Sequence, residues 1–179
     1  MRVVITGTPG TGKTKIAAKL ARILDIKLIS IKDLVEKEKI YRIREGERVV
    51  DTVALERIMK KALKNEKDYV VEGHLACEVE IPCNYIFVLR THPKELKKRL
   101  SARKYKKEKV GENLMSEMLD YCEQRAAKVY GKKPIEIDTT DKTILGSARR
   151  IAGMIRNKKK KGDIVDYSKE LLHYLRLTG

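Results

Sequence analysis

The sequence predicts an α/β protein, a doubly wound and mostly parallel sheet of about five strands with helices on its faces. Three observations predict it. Short β-branched apolar runs alternate along the chain with longer amphipathic stretches. The first run, Arg2–Thr6, opens directly into Gly7-Thr8-Pro9-Gly10-Thr11-Gly12-Lys13-Thr14, which fits G-x-x-x-x-G-K-[ST] at every fixed position. The strongest buried-strand signal, Tyr85-Ile86-Phe87-Val88-Leu89, is apolar or aromatic throughout, as a strand covered on both faces requires.

Each element has its own local warrant. After the glycine loop, Lys15–Leu24 reads as a helix with Ile16, Ala17, Leu20, Ala21, Ile23 and Leu24 on an inward stripe. Lys27-Leu28-Ile29 is a short strand, and Ser30 is placed to cap a helix carrying Leu34 and Val35. Glu36–Glu47 is mixed in charge and reads mostly as loop or frayed helix. Val49–Asn65 repeats apolar residues at helical spacing. Tyr69-Val70-Val71-Glu72 is a strand ending in an acid, followed by Gly73-His74 and a loop through Pro82. Pro93 stands near the start of a helix with Leu96 and Leu100. Arg103–Val110 is nearly all charge, and Gly111 to about Tyr130 is helical again until Lys132-Lys133-Pro134 breaks it. Ile135–Asp138 is a last strand, and Thr139-Thr140-Asp141 caps a helix to about Asn157. Residues 158–179 form a basic linker, Lys158 to Lys161, and a C-terminal amphipathic helix over Asp163–Leu177.

The glycine loop carries the clearest chemistry. Its glycines let backbone amides turn inward as an anion nest, and the N-terminus of the following helix adds unsatisfied donors and partial positive charge. Lys13 is placed to reach the β- and γ-phosphates of a nucleoside triphosphate, and the Thr14 hydroxyl to hold Mg²⁺. GTP-specific switching is excluded as the leading reading, because Thr140-Asp141-Lys142-Thr143 does not match the base-reading N-K-x-D.

Bulk composition bounds the rest. The 179 residues suffice for one domain with a real core, 42% of them hydrophobic. Charged residues reach 37%, with 41 Lys+Arg against 25 Asp+Glu and a formal net charge of +16, which suits a polyanionic partner such as RNA or simply a solubilising surface. A single glutamine, Gln124, amid abundant Lys and Glu resembles heat-adapted composition. Cys77, Cys83 and Cys122 make no C-x-x-C pair, so neither a disulfide framework nor a zinc site is expected. No leader precedes the first strand and no apolar run reaches a membrane span, so a reduced, cytoplasmic setting is expected.

A second tier of candidates lies at the carboxyl ends of the strands, where ligands of such sheets bind. Glu72 is placed to reach Mg²⁺ through water or to orient an attacking group; a glutamate merely closing a strand is the other reading. His74, two residues on, is a candidate for positioning a water or assisting proton transfer, or a structural turn residue. Lys94–Lys109 holds nine basic residues and two acids, and Arg99 and Arg103, one helical turn apart, suit a mobile arginine lid over a transferring phosphoryl group; a solvated basic helix and an RNA contact are the other readings. Arg90 ends its strand as a cation, either to meet phosphate or to pair with Glu72. Asp33 and Asp51 flank a segment where a second nucleotide has room.

Four blocks now stand in order: Gly7–Thr14, Val71-Glu72-Gly73-His74, Phe87-Val88-Leu89-Arg90-Thr91, and Arg99-Leu100 with Arg103-Lys104-Tyr105, Lys109 and Glu112-Asn113. Over roughly residues 1–157 this pattern resembles the adenylate kinase isoenzyme 6 family in an archaeal form. The resemblance implies a P-loop, nucleoside monophosphate kinase-like fold, with a monophosphate-binding segment about 30–51 and a short lid about 103–113. It implies ATP-to-AMP phosphoryl transfer, Mg²⁺-dependent ATP hydrolysis, and a part in small-subunit rRNA maturation with the ribosomal protein uS11. Carried over by position, Gly10, Gly12, Lys13, Thr14 and the Lys15 backbone bind the ATP phosphates, Arg103 is the lid arginine supported by Arg99, and Glu72 and His74 fill an acid-x-His motif. The chain departs from the pattern twice. That acid is usually aspartate, and Glu72-Gly73-His74-Leu75-Ala76 lacks the arginine of the D-G-F-P-R that holds AMP in ordinary adenylate kinases. Two other functions compete: a nucleotide-gated chaperone for a ribosomal protein or RNA, using the Lys158–Gly179 extension, and a small-molecule P-loop kinase.

Overall fold

The computed structural model describes residues 1–44 and 46–178. Five strands form one parallel sheet in the order β2-β5-β1-β6-β7: β1 (Arg2–Thr6), β2 (Lys27–Ser30), β5 (Tyr69–Glu72), β6 (Tyr85–Arg90) and β7 (Ile135–Asp138). The remaining two, β3 (Tyr41–Arg44) and β4 (Glu47–Val50), pair as a separate antiparallel hairpin. The central strands are buried on both faces, which is why their sequences run apolar without alternation.

Helices cover both faces. On one, α1 (Lys13–Leu24) and α7 (Ile144–Arg156) pack Ile16, Leu20, Ala148 and Ile151 against Val3, Ile5, Phe87 and Leu89. On the other, α2 (Ile31–Glu38), α3 (Thr52–Leu63) and α6 (Tyr121–Tyr130) enclose Val4, Val71, Ile86 and Val88. A third apolar cluster lies beside the sheet, where α4 (Pro93–Ala102) and α5 (Lys107–Met118) meet the C-terminal segment through Leu96, Leu100, Leu114, Met118 and Tyr167. The chain ends in α8 (Ser168–Thr178).

Several expectations are corrected here. Within Glu36–Glu47, α2 ends at Glu38 and the hairpin strand β3 follows; Glu45 lies outside the described residues. The helix placed from Val49 starts at Thr52, because Asp51 caps it, its carboxylate accepting from the Val53 and Ala54 amides at 3.0 Å. Asp51 is therefore a helix cap. The continuous helix from Gly111 to Tyr130 is two helices, broken where Asp120 takes a left-handed φ of 54°. The last helix begins at Ser168, five residues later than Asp163.

Candidate active site

The carboxyl ends of β1 and β5 and the N-termini of α1 and α2 surround a cavity of about 410 Å³. Its floor is the glycine loop. Gly7, with φ 137°, must be glycine: a Cβ there would lie 2.5 Å from the Leu89 carbonyl oxygen on the neighbouring strand. The loop is tied down from below, with the Thr139 hydroxyl donating to the Thr11 carbonyl at 3.1 Å. Three donors converge on the Thr8 carbonyl: the Thr11 amide (3.3 Å), the Thr11 hydroxyl (2.9 Å) and Lys13 Nζ (2.9 Å). Lys13 thus lies curled back along its own loop, and burial lowers its pKa.

Glu72 is buried at the end of β5, and its Oε2 accepts from the Thr14 hydroxyl at 3.1 Å. A hydroxyl and a carboxylate converge beside the phosphate-loop lysine. These are hard oxygen donors of the kind Mg²⁺ takes, usually with waters and substrate phosphates filling its other positions. Among the described residues no cluster of three His, Cys, Asp or Glu side chains forms a closed metal cage. One hydroxyl and one carboxylate suit an ion that completes its shell with phosphate and water.

His74 follows in a single 3-10 turn, His74–Cys77. Its carbonyl is held by the Thr6 hydroxyl at 3.1 Å and the Cys77 thiol at 3.1 Å, which fixes the turn over β1. The ring opens into the cavity. Crowding by the surrounding protein and the nearby Lys13 ammonium push its pKa down to about 4. His74 is therefore neutral at pH 7.

The far wall comes from within the segment about 30–51 that the resemblance gave to a monophosphate, though none of its residues was named there as a site residue. Lys32, Val35 and Glu36 of α2, and Arg48 and Val50 of the hairpin, line the cavity opposite the loop. Arg48 pairs with Glu36 across that wall, and its guanidinium stacks over Tyr41 with 4.6 Å to the ring centroid. The only sequence signal for this hairpin was a glycine, Gly46 at φ 78°, between two short β-branched runs of mixed charge.

Arg103 and Tyr105 close the mouth. Arg103 sits at the end of α4, in a turn that passes through Lys104 at φ 58° before α5 begins. Among the described residues no carboxylate engages it. Lys15 and the glycines Gly10 and Gly12 complete the loop side.

Two expected contributors lie elsewhere. Arg99 donates to Glu95 and to the Thr139 and Thr140 carbonyls (3.2 and 2.8 Å), so it ties α4 to the end of β7 and does not line the cavity. Arg90 meets neither phosphate space nor Glu72. It is 2% exposed and donates to Glu117 (3.1 Å), Glu136 (2.6 Å) and Asp120. Burial alone would lower its pKa, but Glu117 and Asp120 outweigh that and hold the guanidinium charged.

A phosphate loop on the central strand, an acid on the next and a basic mouth define a P-loop nucleotide-handling fold. The family model described as "AAA domain" matches residues 3–120, and the chain belongs to that family. It is 37% identical to a Methanocaldococcus jannaschii protein named "Putative adenylate kinase", covering 99% of this chain and 98% of that one. A Pyrococcus furiosus protein of the same name is also 37% identical, over 100% and 99% of the two chains. The match includes the C-terminal tail, which the four-block resemblance left out. Among solved structures, shikimate kinase from Acinetobacter baumannii in complex with shikimate superposes with a TM-score of 0.64 at 17% identity, over 90% of this chain and 96% of that chain. The enzyme from Bacteroides thetaiotaomicron gives 0.61 at 17% identity, over 87% and 98%. These two share the fold.

Proposed function

We propose that the chain is an ATP-dependent nucleoside monophosphate kinase, converting ATP and AMP to two ADP, with Mg²⁺-dependent ATP hydrolysis as its second activity. The observation that carries this reading is the two-sided cavity. One wall is built for a triphosphate and the other, with Arg48 and Lys32 among Ile31, Val35, Val50 and Leu75, for a flat apolar group bearing an anion. Full-length kinship to archaeal proteins named as adenylate kinases supports it.

The residues divide the work as follows. Lys13 leaves the Thr8 carbonyl for the β/γ-phosphates, which offer it a full charge in exchange for a dipole. Thr14 and Glu72 would hold the Mg²⁺ that ATP brings, which would supply charge neutralisation at the phosphates. Arg103 swings over the γ-phosphoryl group, where charge spreads in the transition state. An AMP phosphate oxygen attacks the γ-phosphorus and the bond to the bridging oxygen breaks, releasing ADP on each side. A phosphate monoester has a second pKa near about 6, so at pH 7 this nucleophile needs no base. His74, neutral and facing the cavity, is placed to hydrogen-bond an acceptor or a water.

Labelled ATP assayed against nucleoside monophosphates and small alcohols including shikimate tests the proposal. Labelled ADP formed from AMP is the expected result; phosphorylation of an alcohol with AMP inert would overturn it. In line with the four-block resemblance and the net charge of +16, we also propose that the enzyme acts in small ribosomal subunit maturation, with uS11 and rRNA as partners. Salt-sensitive binding of the purified chain to rRNA and to uS11, absent for an acidic control protein, checks that step.

A further inference from the structure

We propose that Glu117, on the last turn of α5, is a positioning residue for the phosphate loop and acts on it through Thr8. Glu117 is 2% exposed and Thr8 fully buried. One carboxylate oxygen, Oε1, is occupied by the Thr91 amide at 2.9 Å and Arg90 Nε at 3.1 Å. The other, Oε2, accepts from the Thr8 hydroxyl. That second contact does nothing for the Arg90 cluster, which Glu136 and Asp120 also hold. It reaches into the loop itself.

Thr8 is the loop residue on which the rest converges. Its carbonyl takes Lys13 Nζ and both Thr11 donors, so the orientation of its peptide sets where Lys13 rests and where the following amides point. A carboxylate suits the task because it only accepts and can serve several donors at once. Burying it is offset by the Arg90 guanidinium beside it. Nothing within residues 7–14 marks this dependence, because the partner stands 109 residues away.

The same helix meets the acceptor wall. Lys109, two turns earlier on α5, pairs with both carboxylate oxygens of Glu47 at the start of β4, each at 3.0 Å. Eight residues of helix span about 12 Å. So α5 bridges the hairpin and the phosphate loop, and Glu117 is its contact on the loop side.

The test uses the full chain, equilibrium binding of a fluorescent ATP analogue with Mg²⁺, and steady-state kinetics. It rests on the loop binding a triphosphate. The binding arm reads out even if no monophosphate is phosphorylated, so failure of the kinase reading is distinguishable. Thr8→Val keeps the shape and removes the hydroxyl. It is expected to weaken analogue binding and lower kcat/KM for ATP about tenfold while the acceptor KM stays within twofold. Thr8→Ser, which restores a donor, is expected to recover most of both. In Thr8→Val/Glu117→Gln the loss should be no greater than in Glu117→Gln alone, since both changes remove one contact. Equal behaviour of the valine and serine variants, or losses that multiply in the double variant, would overturn the proposal. Should Glu117→Gln fail to fold, the valine–serine pair still decides.

Discussion

Lys13 shows how a residue's resting partners bear on its chemistry. Its ammonium is buried on a neutral carbonyl, a poor exchange for water, and its lowered pKa records that. A triphosphate restores a full counter-charge. Replacing Lys13 and Thr14 together with alanine should cut ATP turnover at least about a hundredfold, measured by ADP release, with the melting midpoint kept; turnover within a few-fold of wild type would rule this mechanism out. His74 makes a different prediction. Its folded pKa of about 4 lies below the free value of 6.5, so the unfolded chain takes up the proton first as pH falls. His74 therefore contributes stability fully above about pH 6.5, and that contribution is lost as pH drops toward 4. Melting curves of wild type and His74→Gln from pH 7.5 to 4 should converge or cross on the acid side; parallel curves would show that His74 does not titrate in this way. Glu72 and His74 were legible as candidates because the first ends its strand and the second stands two residues on, and both line the cavity. Arg90 was not. Its position at a strand end is equally good for phosphate, and only the fold brings Glu117, Asp120 and Glu136 from later in the chain to surround it.

At the scale of elements, what the sequence revealed was what neighbouring residues specify together. The strand, the glycine loop and α1 form a continuous unit whose residue pattern is local in sequence, and motif and periodicity agree there. The β3–β4 hairpin was hidden because its strands are four residues each, mostly exposed, and its stabilising contacts lie on α2 in Glu36 and on α5 in Lys109. Asp51 joins the hairpin to α3 and sets where that helix begins. Asp51→Ala removes the acceptor for two amides and should cost about 1 kcal/mol. For a chain of this size that is a fall of about 2–4 °C in Tm. Calorimetry checks it, with Ser30→Ala as comparison: its single, longer 3.3 Å cap contact should cost less. If the two variants melt alike, capping geometry does not set the stability of this wall.

Across the whole molecule, the C-terminal segment decides between two views of residues 158–179. Read as sequence, a lysine run before an amphipathic helix is a detachable arm that serves a partner and can be cut away without harm to ATP turnover. The fold argues otherwise. Lys158 to Lys161 are exposed, but the chain then closes on the sheet. Asp163 donates its amide to the Glu136 carbonyl at 2.9 Å, accepts from the Asp138 amide at 2.8 Å, and pairs with Arg150. Gly162 lies so close to β7 that a Cβ would stand 2.2 Å from the Glu136 oxygen. Tyr167 then covers the Arg90 guanidinium at 5.2 Å, Glu170 meets His92, and Leu171 packs with the α4–α5 cluster. Removing the tail would take Leu171 off the α4–α5 contacts and Tyr167 off the Arg90 cluster, for a loss of about 3 to 5 kcal/mol. Because Glu117 belongs to that cluster and touches Thr8, the damage should reach the phosphate loop. A chain ending at Lys158 should therefore unfold at lower urea, bind more of a hydrophobic dye, and lose ATP turnover along with any partner binding. A truncated chain with the urea midpoint and turnover of the full one would return the tail to the role of a detachable arm.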